Sequence, residues 1–166
     1  MTALQPEITR FEDATANLMA LRDEVEAGAP WPLAAIYGVE PEASWGPPEL
    51  LAHVEEYMRY WMGEVERVLD GDGVEPTPFG RIASDAVRLG VIGRDRTLPM
   101  RELFGRIEVD AARDSHRLAE LTEADANKVG LHPTRGPMTV REMLEPFLVG
   151  HTEGHVTQLR EILAAK

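Results

Sequence analysis

Two histidines near the C-terminus lie where a buried helix face should carry apolar residues. The segment has an apolar stripe with α-helical spacing, formed by Val140, Leu144, Phe147, Leu148, Leu159 and Ile162. His151 and His155 fall on the same stripe, between its two halves. Side chains four residues apart on a helix have Cβ atoms about 5–6 Å apart, so both imidazoles can bind one metal ion.

His53 is the best candidate for a third ligand. It lies at the edge of a second apolar stripe that includes Leu50, Val54 and Tyr57, and helix bundles commonly build metal sites from facing helices. Three neutral imidazoles with one open position are typical of catalytic rather than structural zinc. Since protonated imidazoles do not bind metal, we expect metal loss below about pH 6.5. One alternative stays open, in which the three are core histidines with hydrogen-bond partners.

Residues around the histidine pair limit the classes of metalloenzyme that the motif can belong to. Glu153 follows His151 by two positions, which places it about 200° around the helix and away from the site. Zinc proteases carry the glutamate immediately after the first histidine, so this class is excluded. Pro146, Gly150 and Gly154 each weaken a helix. We interpret the glycines as thinning the helix to admit a neighbour or a ligand, with a tolerated kink as the alternative.

Four other polar residues receive specific predictions. His116 should face solvent on the third helix, and His132 should lie in a loop, so both are placed outside the site. Gln158, one turn beyond the histidine pair, is a candidate for orienting a ligand or simply a polar residue at the rim of the stripe. Tyr57 is expected to pack in the core.

A run of arginines precedes and opens the third predicted helix. It consists of Arg81, Arg88, Arg94, Arg96, Arg101 and Arg106. The only acids within it are Asp85, Asp95 and Glu102, which leaves a local excess of positive charge. Arg94 and Arg96 are the candidate cofactor-binding residues, because a guanidinium binds a carboxylate through two hydrogen bonds. The alternative is a solvated loop whose arginines pair with acidic helices.

Length and composition bound the possible functions. The 166 residues are expected to form a single domain over positions 1–166. The net charge of −12 repels a phosphate backbone and excludes general nucleic-acid binding. The absence of cysteine means that any thiol chemistry uses a thiol from a small molecule. The start of the chain shows no leader pattern and no apolar run is long enough to cross a bilayer, so we expect a cytoplasmic protein without a membrane partner.

The hydrophobic periodicity predicts four long helices and no long strand. Helix one runs from about Ile8 to Gly28, helix two from Pro47 to Leu69, helix three from Met100 to Leu121, and helix four from Thr139 almost to Lys166. The connections at 71–97 and 125–137 are expected to be loops, the first with a short helix at 81–89. Thr139 and Glu142 have the spacing of a capping box at a helix start. The predicted fold is all-α, a four-helix bundle.

Two stretches of the chain carry a recognisable pattern. They are SWGPPELLAHVEEY at 44–57 and MTVREMLEPFLVGHTEGHVTQLREIL at 138–163. Together they resemble the DinB-like (YfiT-type) superfamily, which pairs a histidine of helix two with an H-x-x-x-H pair in helix four. These positions match His53, His151 and His155. The resemblance implies an up-down-down-up bundle, a divalent metal that is often zinc or nickel, and a homodimer.

The resemblance also implies a chemistry. Characterised DinB-like proteins include S-transferases that use bacillithiol or mycothiol and a thiol-dependent maleylpyruvate isomerase, so a small-molecule substrate and a low-molecular-weight thiol are expected. A metal ion can deprotonate a bound thiol, or it can activate water for hydrolysis, which keeps a metal-dependent hydrolase open. A non-catalytic bundle that binds a metal or small molecule in a stress response, or a structural bundle, is the remaining alternative.

Overall fold

The computed structural model describes residues 2–166, of which 65% lie in helices and 6% in strands. The α-helices are α1 (Gln5–Met19), α2 (Arg22–Ala27), α3 (Pro47–Leu69), α4 (Ala86–Asp95), α5 (Met100–Ala119), α6 (Glu123–Ala126), α7 (Val140–Leu144) and α8 (Gly150–Ala164). A 3₁₀ helix spans Pro41–Ser44, and a π-helix spans Glu145–Val149. The strands are β1 (Thr77–Pro78), β2 (Val129–His132) and β3 (Gly136–Thr139). No helix within residues 2–166 is both long enough and apolar enough to span a bilayer.

Four long helices surround the core. Helix α3 packs against α5 and α8, and α1 packs against the same two helices, so the four form a closed ring of contacts. The largest fully buried side chains come from several parts of this ring and include Phe11, Leu18, Leu51, Tyr57, Met58, Phe104, Ile107 and Leu118. The prediction of a mostly helical protein is confirmed. The up-down-down-up order of helix directions stays a prediction.

Helix α3 begins and ends where the sequence predicts. Pro47 and Pro48 occupy its first turn, where a missing N–H leaves no hydrogen bond unmade. The Glu49 carboxylate accepts hydrogen bonds from the backbone N–H groups of Gly46 and Ala34, at 3.2 and 3.1 Å. The start of the helix is therefore tied to the preceding connection, which fixes the helix that carries His53.

The prediction that residues 125–137 form a loop is wrong. This segment holds α6 and a β-hairpin in which β2 pairs antiparallel with β3, while β1 pairs parallel with β2. Gly136 has a positive φ of 76° in the hairpin, a conformation that glycine adopts without steric cost. The strands are only two to four residues long, too short for a period of two to stand out in the sequence.

Two helix boundaries also differ from the prediction. The first predicted helix is divided into α1 and α2, with the break at positions 20–21. The short helix expected at 81–89 lies at Ala86–Asp95 instead, because the Asp85 side chain caps it by accepting a hydrogen bond from the backbone N–H of Arg88 at 2.9 Å. An N-terminal cap thus overrides the apolar pattern as the signal for this helix.

The C-terminal helix starts as predicted but is not a continuous α-helix. Thr139 and Glu142 form the expected capping box, with hydrogen bonds of 3.1 and 2.8 Å. The π-helix at Glu145–Val149 contains Pro146 and inserts one extra residue, which rotates the remainder of the helix by about 100°. A Cβ on Gly150 would lie 2.8 Å from the Glu145 carbonyl oxygen, whereas Gly154 faces open space. The interpretation that both glycines admit a neighbour or ligand is therefore wrong, since Gly150 accommodates the preceding turn of its own helix.

We predict opposite effects for alanine at these two glycines. Gly150→Ala should lower the free energy of unfolding by about 1–3 kcal/mol, because its Cβ collides with fixed backbone. Gly154→Ala should raise it by about 0.5–1 kcal/mol, because alanine loses less backbone entropy in a helix. Urea denaturation monitored by circular dichroism measures both, and equal effects of the two substitutions would contradict the assignment of the π-turn contact.

Candidate metal centre

Three histidines from two helices converge at one point. His53 comes from α3, and His151 and His155 come from α8. The Nε2 atoms of His53 and His151 are 3.1 Å apart, and one ring nitrogen from each histidine lies within 4.8 Å of the other two. Zinc held at about 2.0–2.1 Å from tetrahedral ligands separates those ligands by about 3.3 Å. The cluster is therefore compact enough for one ion to reach all three imidazoles.

The tautomer of His155 is set by Gln158. The Gln158 Nε2 donates to the backbone carbonyl of Glu42 at 2.8 Å, and a carbonyl can only accept. The Gln158 Oε1 therefore faces His155 Nδ1, at 3.0 Å, and accepts its proton. This leaves the Nε2 lone pair of His155 free, and this buried atom has no hydrogen-bond partner among residues 2–166. Metal ligands commonly show this arrangement, in which one ring nitrogen donates to an oxygen and the other binds the ion.

His151 is held by stacking and by a short hydrogen-bond chain beside it. Its ring lies parallel to the Tyr57 ring, with centroids 4.3 Å apart and an angle of 6°. The Tyr57 hydroxyl donates to Thr152 Oγ1 at 2.5 Å, and Thr152 in turn donates to the Leu148 carbonyl at 2.7 Å. Tyr57 is fully buried, as the sequence predicted, and it also fixes the plane of a candidate ligand.

Burial keeps the three imidazoles neutral. Desolvation lowers the pKa of His53 well below its usual value, lowers the pKa of His151 to about 3, and also lowers the pKa of His155. The guanidinium of Arg88 acts in the same direction on all three. Neutral imidazole is the form that binds metal, so protons compete with the ion only at a pH lower than the value near 6.5 expected from the sequence.

Glu42, Arg88 and Trp45 form the wall beside the histidines. The Glu42 Oε1 lies 3.9 Å from His53 Nε2 and accepts a hydrogen bond from Arg88. The Trp45 ring is almost completely buried and packs edge-on against the His53 ring at 5.3 Å. Nothing in the sequence pattern marks Glu42, because it lies in an irregular connection without periodicity. Arg88 belongs to the arginine run, but its position beside the cluster depends on where α4 begins.

Arg94 and Arg96, which the sequence analysis predicts to bind a cofactor, make their polar contacts away from the three histidines. Arg94 pairs with Asp95 at 2.6 Å, and most of its side chain is exposed. Arg96 donates to the Ala34 carbonyl at 2.5 Å and lies 3.7 Å from Glu49. A role of these two arginines in binding a cofactor stays a prediction.

The structure places three other sequence-predicted residues. His116 is exposed on α5, as expected. Glu153 points away from the histidines and pairs with Arg10 at 2.6 Å. The loop placement of His132 is wrong, since it ends β2 in a buried position where its Nδ1 accepts hydrogen bonds from the backbone N–H groups of Thr134 and Arg135, both at 3.2 Å. His132 closes the hairpin turn and is not part of the three-histidine cluster.

Comparisons with known proteins add no relative. No family model matches the chain, no curated protein matches it, and no solved structure matches it. The DinB-like resemblance therefore stands on the residue pattern alone, and the candidate centre stands on its geometry.

We predict a specific pH dependence for the metal-free protein. The unfolded chain protonates its histidines near pH 6.5, whereas folded His151 does so near pH 3. Between these values the unfolded state binds more protons, so His151 contributes stability above pH 6.5 that is lost as the pH falls. His151→Gln should reduce the slope of unfolding free energy against pH by up to about 1.4 kcal/mol per pH unit below pH 6.

The measurement is urea denaturation of chelator-treated protein between pH 7 and pH 5. His116→Gln is the matched control, because the His116 side chain is 80% exposed and lies outside the three-histidine cluster. The same slope in the parent and in His151→Gln would show that His151 is not held neutral by burial.

Proposed function

We propose that this protein is a divalent-metal-dependent enzyme of the DinB-like type that transfers a low-molecular-weight thiol to a small-molecule substrate. The observation that carries the proposal is the convergence of one ring nitrogen each from buried His53, half-buried His151 and buried His155 within 4.8 Å of one another. Imidazole ligands suit zinc and nickel equally. The unpartnered Nε2 of His155 supports a ligand role, because a buried polar atom without a partner costs free energy that metal binding removes.

The chain's own residues explain how such a centre would work. His53, His151 and His155 would hold a divalent ion, which when bound would supply the positive charge that stabilises a thiolate. Gln158 holds the ligand tautomer of His155, and Tyr57 holds the plane of His151. The chain has no cysteine to occupy the open position, so a free thiol meets no internal competitor of its own kind.

A metal-dependent hydrolase is the second candidate, favoured by one observation. The Glu42 carboxylate lies 3.9 Å from His53 Nε2, within reach of a water bound beside the histidines. A carboxylate in this position serves as a general base for an attacking water. The hydrolase requires Glu42 to be free for proton transfer, whereas thiol transfer requires only the open position.

The proposal also includes the fold that the resemblance implies. The closed ring of contacts among α1, α3, α5 and α8 supports a DinB-like four-helix bundle. The homodimer and the cytoplasmic location stay predictions.

Metal content tests the proposal first. Untagged parent protein should carry about one equivalent of zinc or nickel by elemental mass spectrometry, whereas a folded His151→Ala/His155→Ala variant should carry none. His116→Ala, an exposed histidine, is the matched control and should keep the parent stoichiometry. A parent that neither contains metal nor takes it up on titration would contradict the proposal.

Activity then separates the two candidates. Metal-loaded protein should couple a thiol to an electrophile such as chlorodinitrobenzene, and the double variant should fall to the uncatalysed rate. Ester hydrolysis without thiol, lost in Glu42→Gln, would favour the hydrolase. A metal-loaded protein inactive in both assays would favour the non-catalytic metal-binding alternative.

A further inference from the structure

Arg88 is a buried cation at the edge of the candidate metal centre. It is 5% exposed, and its guanidinium donates to the Ala83 carbonyl at 2.9 Å and to the Glu42 carboxylate. It also lies 5.7 Å from the centroid of the Trp45 ring. A buried positive charge beside a site for a divalent cation is costly unless an anion lies between the two. We therefore expect an anion between the Arg88 guanidinium and the three histidines.

In the free protein that anion is Glu42. A single oxygen, Oε1, both accepts from Arg88 and lies 3.9 Å from His53 Nε2, so it bridges the guanidinium and the histidine cluster. The Glu42 side chain is 41% exposed and belongs to a 3₁₀ helix of four residues. Its backbone carbonyl is held by Gln158. The carboxylate can thus move into solvent while its backbone and Arg88 remain in place.

A pocket opens beside this ion pair. Its volume is about 590 Å³, and its lining combines Glu42 and Arg88 with Ile36, Tyr37, Val39 and Leu89. This volume lies within the range of about 300–1,000 Å³ that is typical of small-molecule sites. The lining is mostly apolar and also includes Glu40, and Arg88 is the cation among its residues. Such a pocket suits a molecule with an apolar body and a single anionic group held by Arg88.

We propose that Arg88 binds a carboxylate of the small molecule used by the metal centre, and that the Glu42 carboxylate occupies this position until that molecule arrives. The inference rests on the proposed function and names its ligand class, a small carboxylate-bearing compound. Arg88 already holds one carboxylate in this place, through a hydrogen bond from its Nη2 to Glu42 Oε1, while its Nη1 donates to the Ala83 carbonyl. A charge-assisted bond of this kind would hold a ligand carboxylate in the same position. The carboxylate belongs either to the thiol or to the electrophilic substrate.

Binding to cobalt(II)-loaded protein tests the proposal without an activity assay. Thiolate coordination to cobalt(II) gives a near-ultraviolet charge-transfer absorption. Mercaptopropionate, which carries a carboxylate, should bind about tenfold more tightly than mercaptoethanol, which does not. Arg88→Gln should lose this preference for mercaptopropionate and leave the mercaptoethanol affinity unchanged. Glu42→Gln should increase the preference, because it removes the carboxylate that competes for Arg88. Arg101→Gln, at an exposed arginine, is the matched control.

Propionate identifies which molecule carries the carboxylate. If propionate weakens the binding of mercaptopropionate but not that of mercaptoethanol, the carboxylate belongs to the thiol; if propionate binds in an Arg88-dependent way without weakening the binding of either thiol, it belongs to the electrophilic substrate. Arg88→Lys covers the case in which Arg88→Gln fails to fold, and it should weaken the preference because lysine lacks the planar fork.

Two results would overturn the assignment of Arg88. One is an unchanged preference for mercaptopropionate in a folded Arg88 variant. The other is a tenfold loss of cobalt(II) affinity in Glu42→Gln, which would make Glu42 a metal ligand. Absence of cobalt(II) binding in the parent would instead contradict the metal centre itself, so the two failures are distinguishable.

Discussion

The meeting of His53 with His151 and His155 between α3 and α8 is the constraint on which the site depends. Three imidazoles occupy space that apolar side chains would fill in an ordinary bundle core, and burial keeps them neutral. Their ring nitrogens are polar atoms removed from water, and His155 Nε2 has no partner within residues 2–166. An ion bound at this point would satisfy the nitrogens together, which gives a physical reason for polar residues on an apolar stripe.

The surrounding residues connect this cluster to the chain segment that covers it. Gln158 accepts from His155 Nδ1 and donates to the Glu42 backbone carbonyl, so one side chain links a candidate ligand to the 3₁₀ helix. The Glu42 carboxylate then contacts Arg88 at the start of α4. The orientation of His155, the position of the 3₁₀ helix and the placement of the buried guanidinium are therefore coupled through hydrogen bonds.

The sequence predicts the parts of this arrangement that depend on helical periodicity. His151 and His155 are recognisable because they interrupt an apolar stripe, and His53 because it borders another on a helix that two prolines begin. The π-helix is not predictable from that pattern, and near the C-terminus Leu163 is buried while the expected Ile162 is only partly buried. Glu42 escapes prediction because contacts between distant segments, rather than local spacing, bring it to the histidines.

X-ray absorption spectroscopy at the zinc edge of metal-loaded protein tests the central claim most directly. The account predicts three imidazole nitrogens at about 2.0–2.1 Å, together with one further light atom in the open position. Addition of a thiol should replace that light atom with sulfur at about 2.3 Å. A first shell with fewer than three imidazoles, or one unchanged in His151→Ala/His155→Ala, would show that the ion binds elsewhere and that the histidines serve only the core.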